Sequence, residues 1–137
     1  MRLLLDTHIL LWSVLEPERL EPHAMEALQD AENQLWLSPI SVWECLVLAR
    51  KGRLKLDPDP ESWVRDMLDA LPFRQAPLNH EVAIVSRSVQ LPHQDPADRF
   101  LVATARVYDL TLVTVDQHIL DAGACELLAA PATGGRS

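Results

Sequence analysis

Two cysteines are too few to build a covalent scaffold. Cys45 and Cys125 are the whole complement of this 137-residue chain, and neither belongs to a Cys-x-x-Cys pair. Small disulfide frameworks and structural zinc sites draw on clustered cysteines, so the expectation is a pair of reduced, buried thiols. Long apolar runs are also missing. None approaches the ~20 residues needed to span a bilayer, and the opening Met1-Arg2-Leu3-Leu4-Leu5 meets Asp6 before a signal-peptide core can form. A cytoplasmic protein without membrane association is therefore expected. Positive charge is scarce as well. The net charge of −8 and pI of about 4.9 count against a basic nucleic-acid face. Two effects soften that objection: clustered carboxylates can be offset by a bound cation, and the few basic residues can be concentrated locally. Lysine is absent beyond Lys55, yet Arg50, Lys51, Arg53 and Lys55 fall within six consecutive positions.

What remains is an ordinary globular composition, 48% apolar and 23% charged. The length suits one domain with a core of its own. Residues 1–130 are expected to form it, with the small polar tail 131–137 disordered. There is no internal repeat and no interdomain linker. Arg2–Leu5 reads as a short buried strand ending at Asp6, and Thr7–Val14 as a helix broken by Glu16-Pro17. Apolar residues at Leu20, Ala24, Ala27, Leu28 and Ala31 predict a helix over Leu20–Glu32. Gln34–Leu37 is a second strand. Ser38-Pro39 opens a helix that runs to Lys51 and stops at Gly52. A helix over Pro60–Leu71, a weak strand over Phe73–Leu78 and a helix capped by Asn79 and reaching about Val89 follow. Beyond a loop at Leu91–Gln94 come a strong helix (Asp95–Tyr108), a β-branched strand (Thr111–Val115), a short helix (Asp116–Ala122) and a last strand near Cys125–Leu128. Strands alternating with helices imply an α/β fold, a mostly parallel sheet covered on both faces.

Such sheets carry their sites beyond the C-terminal strand ends. Asp6 and Asp116 follow strands directly, while Glu44 and Asp98 lie near the starts of helices. Hydrolysis of a phosphodiester needs an activated water, neutralised phosphate charge and a stabilised leaving oxygen, and a hard divalent cation supplies all three. Magnesium and manganese take oxygen ligands, so acids from distant parts of the chain must meet at one mouth. Each acid has a plainer reading. Asp6 and Asp116 sit where helix N-caps belong. Glu44 follows Ser41 at capping-box spacing, and Asp95-Pro96-Ala97-Asp98 fits the same device. Capping does not, however, require all four helices to start on one side of a sheet.

These segments resemble a PIN domain, and most closely the VapC-type toxins of bacterial toxin–antitoxin pairs. LLLDTHILLW (3–12) is similar to the opening of that subfamily, with Asp6 as its first acid. SPISVWECLVLARKGRLKL (38–56) resembles the second block with Glu44, DPADRFLVATA (95–105) the third with Asp98 beside a flanking Asp95, and LVTVD (112–116) the fourth with Asp116. The blocks occur in family order, with an acid at every expected place. The resemblance implies a three-layer α/β/α sandwich and a Mg2+- or Mn2+-dependent ribonuclease. It further implies RNA as substrate, a homodimer and a cognate antitoxin. It ranks Asp6 and Asp98 as the foremost metal ligands, with Asp116 and Glu44 completing the cluster directly or through water.

Smaller features have two readings each. Hydroxyls at Thr7 and Thr114 can orient a carboxylate or a water, or be plain helix-start and strand residues. Arg99 can clamp phosphate or pair with Asp95 or Asp98 on its own helix. His8 and His93 can reach substrate or be structural. The Arg50–Lys55 cluster can track RNA or only complement a helix dipole. Trp12, Trp36, Trp43 and Trp63 suit core or dimer packing better than base stacking. Two rival functions compete with this reading. A phosphatase or phosphoacceptor domain would place adjacent acids after the first strand or a lysine at a later strand end, whereas Thr7 and His8 follow Asp6 here. A non-catalytic PIN-like binding module would not need its acids intact.

Overall fold

The computed structural model describes residues 1–92 and 95–130. His93, Gln94 and the expected tail 131–137 lie outside the described residues. Five strands, β1 (Arg2–Leu5), β2 (Gln34–Leu37), β3 (Phe73–Gln75), β4 (Thr111–Thr114) and β5 (Leu127–Ala129), form one parallel sheet in the order β3-β2-β1-β4-β5. The chain winds outward from the centre in both directions, so the topological switch point falls between β1 and β4. Their register pairs Leu5 with Val113.

The helices are α1 (Thr7–Leu15), α2 (Pro22–Gln29), α3 (Pro39–Arg50), α4 (Pro60–Ala70), α5 (His80–Ser86), α6 (Pro96–Tyr108) and α7 (Gln117–Ala122). Period-2 alternation in the strands sorts them into two outer layers. Leu3, Leu5 and Val113 face one side and pack with Ile9 and Leu10 of α1, Ala24 of α2, Cys45 of α3 and Val64 and Met67 of α4. Leu4 and Leu112 face the other and pack with Val82 of α5, Leu101 and Val102 of α6 and Ile119 of α7. This is the expected three-layer α/β/α sandwich.

Several boundaries differ from the sequence reading, each for a local reason. The helix expected over Leu20–Glu32 is a short 3-10 turn, Pro17–Arg19, followed by α2 from Pro22 to Gln29. Proline lacks an amide donor and holds the residue before it extended, so Pro22 must start a helix. Glu21 is accordingly extended and caps α2 by accepting from the His23 and Ala24 amides. Strand β3 is confined to Phe73–Gln75, as the flanking Pro72 and Pro77 cannot donate to a ladder. The last strand lies at Leu127–Ala129 instead of starting at Cys125. Both thiols are unbridged, but only Cys45 is buried; Cys125 is half-buried. Trp12, Trp36 and Trp63 pack partly buried against the cores, whereas Trp43 is 56% exposed. Helix α3 ends as expected, with Gly52 at a φ of 75°, a left-handed conformation that glycine adopts without a Cβ penalty.

Candidate active site

The switch point sets the two central acids. Asp6 continues β1, its amide donating to the Val113 carbonyl at 3.0 Å, and its side chain then turns to cap α1 by accepting from the Thr7 amide at 2.6 Å. Its second oxygen accepts from the Thr114 hydroxyl at 2.6 Å. That hydroxyl in turn accepts from the Asp116 amide at 3.0 Å, so one β4 side chain ties the two acids together across neighbouring strands. Asp116 caps α7, accepting from the His118 and Ile119 amides. Asp6 is only 7% exposed, and burial holds its carboxyl above the ordinary aspartate range, against the pull of its two hydrogen bonds.

Glu44 arrives differently from the capping box that its spacing suggested. The cap of α3 is Ser38, which accepts from the Ile40 amide at 3.0 Å. Glu44 therefore lies in the second helical turn, beyond the reach of a box. Its Oε1 is 2.5 Å from the Thr7 hydroxyl, which is also 3.1 Å from the Ser41 hydroxyl. A threonine hydroxyl carries one proton. With Glu44 ionised, Thr7 donates to it and Ser41 donates to Thr7. Burial pushes the Glu44 carboxyl up, the Thr7 hydrogen bond opposes this, and the charges of Asp6 and Asp95 add to the rise.

Helix α6 supplies the fourth acid. Asp95 caps it by accepting from the Ala97 amide at 3.0 Å, and Asp98 sits in its first turn. Asp98 is the most perturbed of the group: burial first, then the charges of Asp6, Asp95, Asp116 and Glu44, push it up to about 8. The same four neighbours that crowd it line, with Asp98, His8, Trp12 and Val115, one cavity of about 370 Å³. Among the described residues, no three His, Cys, Asp or Glu side chains stand close enough together to hold an ion directly. The acids instead ring a space with room for water. That arrangement suits a small hard cation, which keeps several waters and takes few carboxylates directly. The donor set fits as well: the carboxylates supply hard oxygen ligands, and their mutual repulsion is what a divalent cation relieves.

All four acids chosen from the sequence thus line one cavity, and Thr7 and Thr114 each hydrogen-bond one of them. Arg99 does not line it; its guanidinium donates to the Val89 carbonyl at 3.2 Å. Asp95 was read only as a flanking residue, Trp12 as a packing residue and His8 as either substrate-reaching or structural. The last two were legible, because residues four apart share a helix face. His8, in the first turn after the Asp6 cap, packs edge-on to Trp12 with ring centroids 6.0 Å apart.

The PIN domain family profile matches residues 3–124. The chain is 34% identical over 119 residues to the ribonuclease VapC22 of Mycobacterium tuberculosis, covering 85% of this chain and 88% of that protein. Its fold superposes on VapBC2 of Rickettsia felis bound to a promoter DNA fragment with a TM-score of 0.67 at 14% identity, over 95% of this chain and 99% of that one. A toxin–antitoxin complex of Klebsiella pneumoniae gives 0.66 at 23%, over 92% and 95% of the two chains. The chain belongs to the PIN-domain family and is a relative of the VapC ribonucleases.

Proposed function

We propose that this protein is a divalent-metal-dependent endoribonuclease, acting in the cytoplasm as the toxin of a toxin–antitoxin pair. The observation that carries the reading is the convergence of Asp6, Glu44, Asp98 and Asp116 on one cavity at the switch point. The relationship to a ribonuclease at 34% identity supports the reaction class. Fold similarity to toxin–antitoxin complexes supports a cognate antitoxin as partner; the proposed functional unit is a homodimer.

Asp6 and Asp98 are the proposed principal ligands of Mg2+ or Mn2+, with Asp116 and Glu44 completing the site directly or through water. When bound, the cation supplies an activated water and neutralises phosphate charge. The chain's own residues do the positioning. Thr114 holds Asp6 and the backbone of Asp116 in fixed relation, so the acids need little rearrangement to meet a phosphate. Glu44 is the proposed acceptor of the water's proton: Thr7 fixes its carboxylate, and burial moves it toward the neutral pH at which a general base is most effective.

The test uses purified protein freed of antitoxin and single-stranded RNA. Cleavage is expected with magnesium or manganese, none with chelator, and at least about a hundredfold less from Asp6→Ala or Asp98→Ala. A wild-type preparation that cuts no RNA with either metal overturns the reading.

A further inference from the structure

Beside the acid cavity lies a second, larger recess of about 670 Å³, formed by α1, the 3-10 turn and the segment after α3. Six of its lining residues matter: His8, Trp12, Arg19, Leu48, Arg53 and Lys55. His8 and Trp12 line both spaces, so the two adjoin across that pair. The guanidinium of Arg19 sits over the Trp12 ring, 4.4 Å from its centroid, and covers that face with a second planar group. Arg53 and Lys55 are exposed and, among the described residues, form no ion pair. Arg19 pairs with Glu16 at 3.3 Å, which leaves Arg53 and Lys55 as the uncompensated charges that make this recess locally positive in a chain of net charge −8.

Helix-dipole complementarity does not explain that placement. Gly52 ends α3, and Arg53 and Lys55 lie past it, on a wall shared with a tryptophan. Cations spaced along a groove with a planar hydrophobic platform are how proteins hold single-stranded nucleic acid: phosphates take the charge, and a base stacks on the ring or guanidinium. The geometry points to this recess as the subsite for the RNA nucleotide flanking the cleaved bond. Its base packs against the Trp12–Arg19 wall, and Arg53 and Lys55 take the two adjoining phosphates. The assignment rests on the ribonuclease reading, and it gives the acidic chain a local means of holding a polyanion next to its own carboxylates.

The test separates binding from cleavage. Binding of a fluorescein-labelled, random-sequence 12-nucleotide RNA is followed by anisotropy over a salt series, in an Asp98→Asn background that does not cut. Replacing Arg53 and Lys55 by glutamine should weaken binding about 3- to 30-fold and reduce the slope of log affinity against log salt by about 1.4, the share of two single-strand contacts. Trp12→Leu should weaken it about 5- to 100-fold while Trp12→Phe, which keeps a stacking face, restores most of the loss. With Asp98 intact, the Arg53→Gln/Lys55→Gln pair should raise KM and leave kcat unchanged. Unchanged affinity and salt slope in the double variant overturn the subsite and leave the recess to a protein partner. Equal losses from Trp12→Phe and Trp12→Leu overturn the stacking wall. Failure of the ribonuclease reading looks different, since wild-type protein would then cut nothing at all.

Discussion

Replacing Asp98 by asparagine should make the metal-free protein more stable, increasingly so as pH rises from about 4 to 8. Burial and four neighbouring carboxylates raise Asp98 from an ordinary 3.8 to about 8. Between those values the folded chain binds a proton that the unfolded chain has lost, so stability falls as pH rises. Above pH 8 the whole penalty is present; below about pH 4 none is. At ~1.4 kcal/mol per pH unit the ceiling is about 6 kcal/mol. Three effects reduce it. Water reaches the half-buried carboxyl from the cavity, neighbouring side chains can draw apart, and a charge in the first turn of α6 gains ~0.3–1 kcal/mol from the helix dipole that asparagine forgoes. A net gain of about 2 kcal/mol at pH 9 is the expectation, and for 137 residues that raises Tm by roughly 6–8 °C. The assay is thermal unfolding in chelator, wild type against Asp98→Asn, from pH 4 to 9. The difference should grow to about pH 8 and then level. A difference independent of pH, or a less stable variant at pH 9, would show that the acids do not crowd Asp98.

Adding magnesium should reverse the order of the two proteins. A ligand bound only by the fold stabilises it by ~2.7 kcal/mol at a hundred times its Kd, and Asp98→Asn should lose most of that gain in the same unfolding assay at pH 8. Metal affinity itself should climb with pH up to about 8, at most tenfold per unit, because Asp98 must lose its proton to serve as a ligand; titration calorimetry at pH 6, 7 and 8 checks it. Thr114→Val removes the hydroxyl that holds Asp6 and accepts from the Asp116 amide, and should destabilise the protein by ~1–3 kcal/mol in urea at neutral pH. Thr7→Val should lower kcat while leaving KM for RNA within about twofold, since it frees Glu44 without touching the basic recess; a change confined to KM would contradict the role given to Glu44. Overexpression of wild type should arrest growth and Asp98→Ala should not, with equal arrest from both proteins counting against catalytic toxicity.

Much of the architecture was legible along the chain, because its signals are local. Alternating Leu3-Leu4-Leu5, the β-branched run at Thr111–Thr114 and the prolines after Ser38, Asp59 and Asp95 specify strands and helix starts through neighbouring backbone alone. Even the errors were local ones: Pro22 outweighed the helical spacing around it, and two prolines cut β3 short. That Asp6, Glu44, Asp98 and Asp116 line one cavity was also legible, from their order along the chain and, for Asp6, Asp98 and Asp116, from strand ends and a helix start. What each acid experiences was not. Glu44 looked like half of a capping box until the packing of α1 on α3 brought it to Thr7, a residue 37 positions away. Asp98 looked like an ordinary first-turn acid, and only the parallel order β3-β2-β1-β4-β5 gathers around it the charges that raise it to about 8. The recess that joins Trp12 to Arg53 and Lys55 likewise exists only in three dimensions. Sequence alone determined which groups this chain possesses and which elements carry them, because propensity and capping act over a few residues. Tertiary structure decided which groups meet, because Coulombic and hydrogen-bond energies depend on distances that strand order and helix packing set.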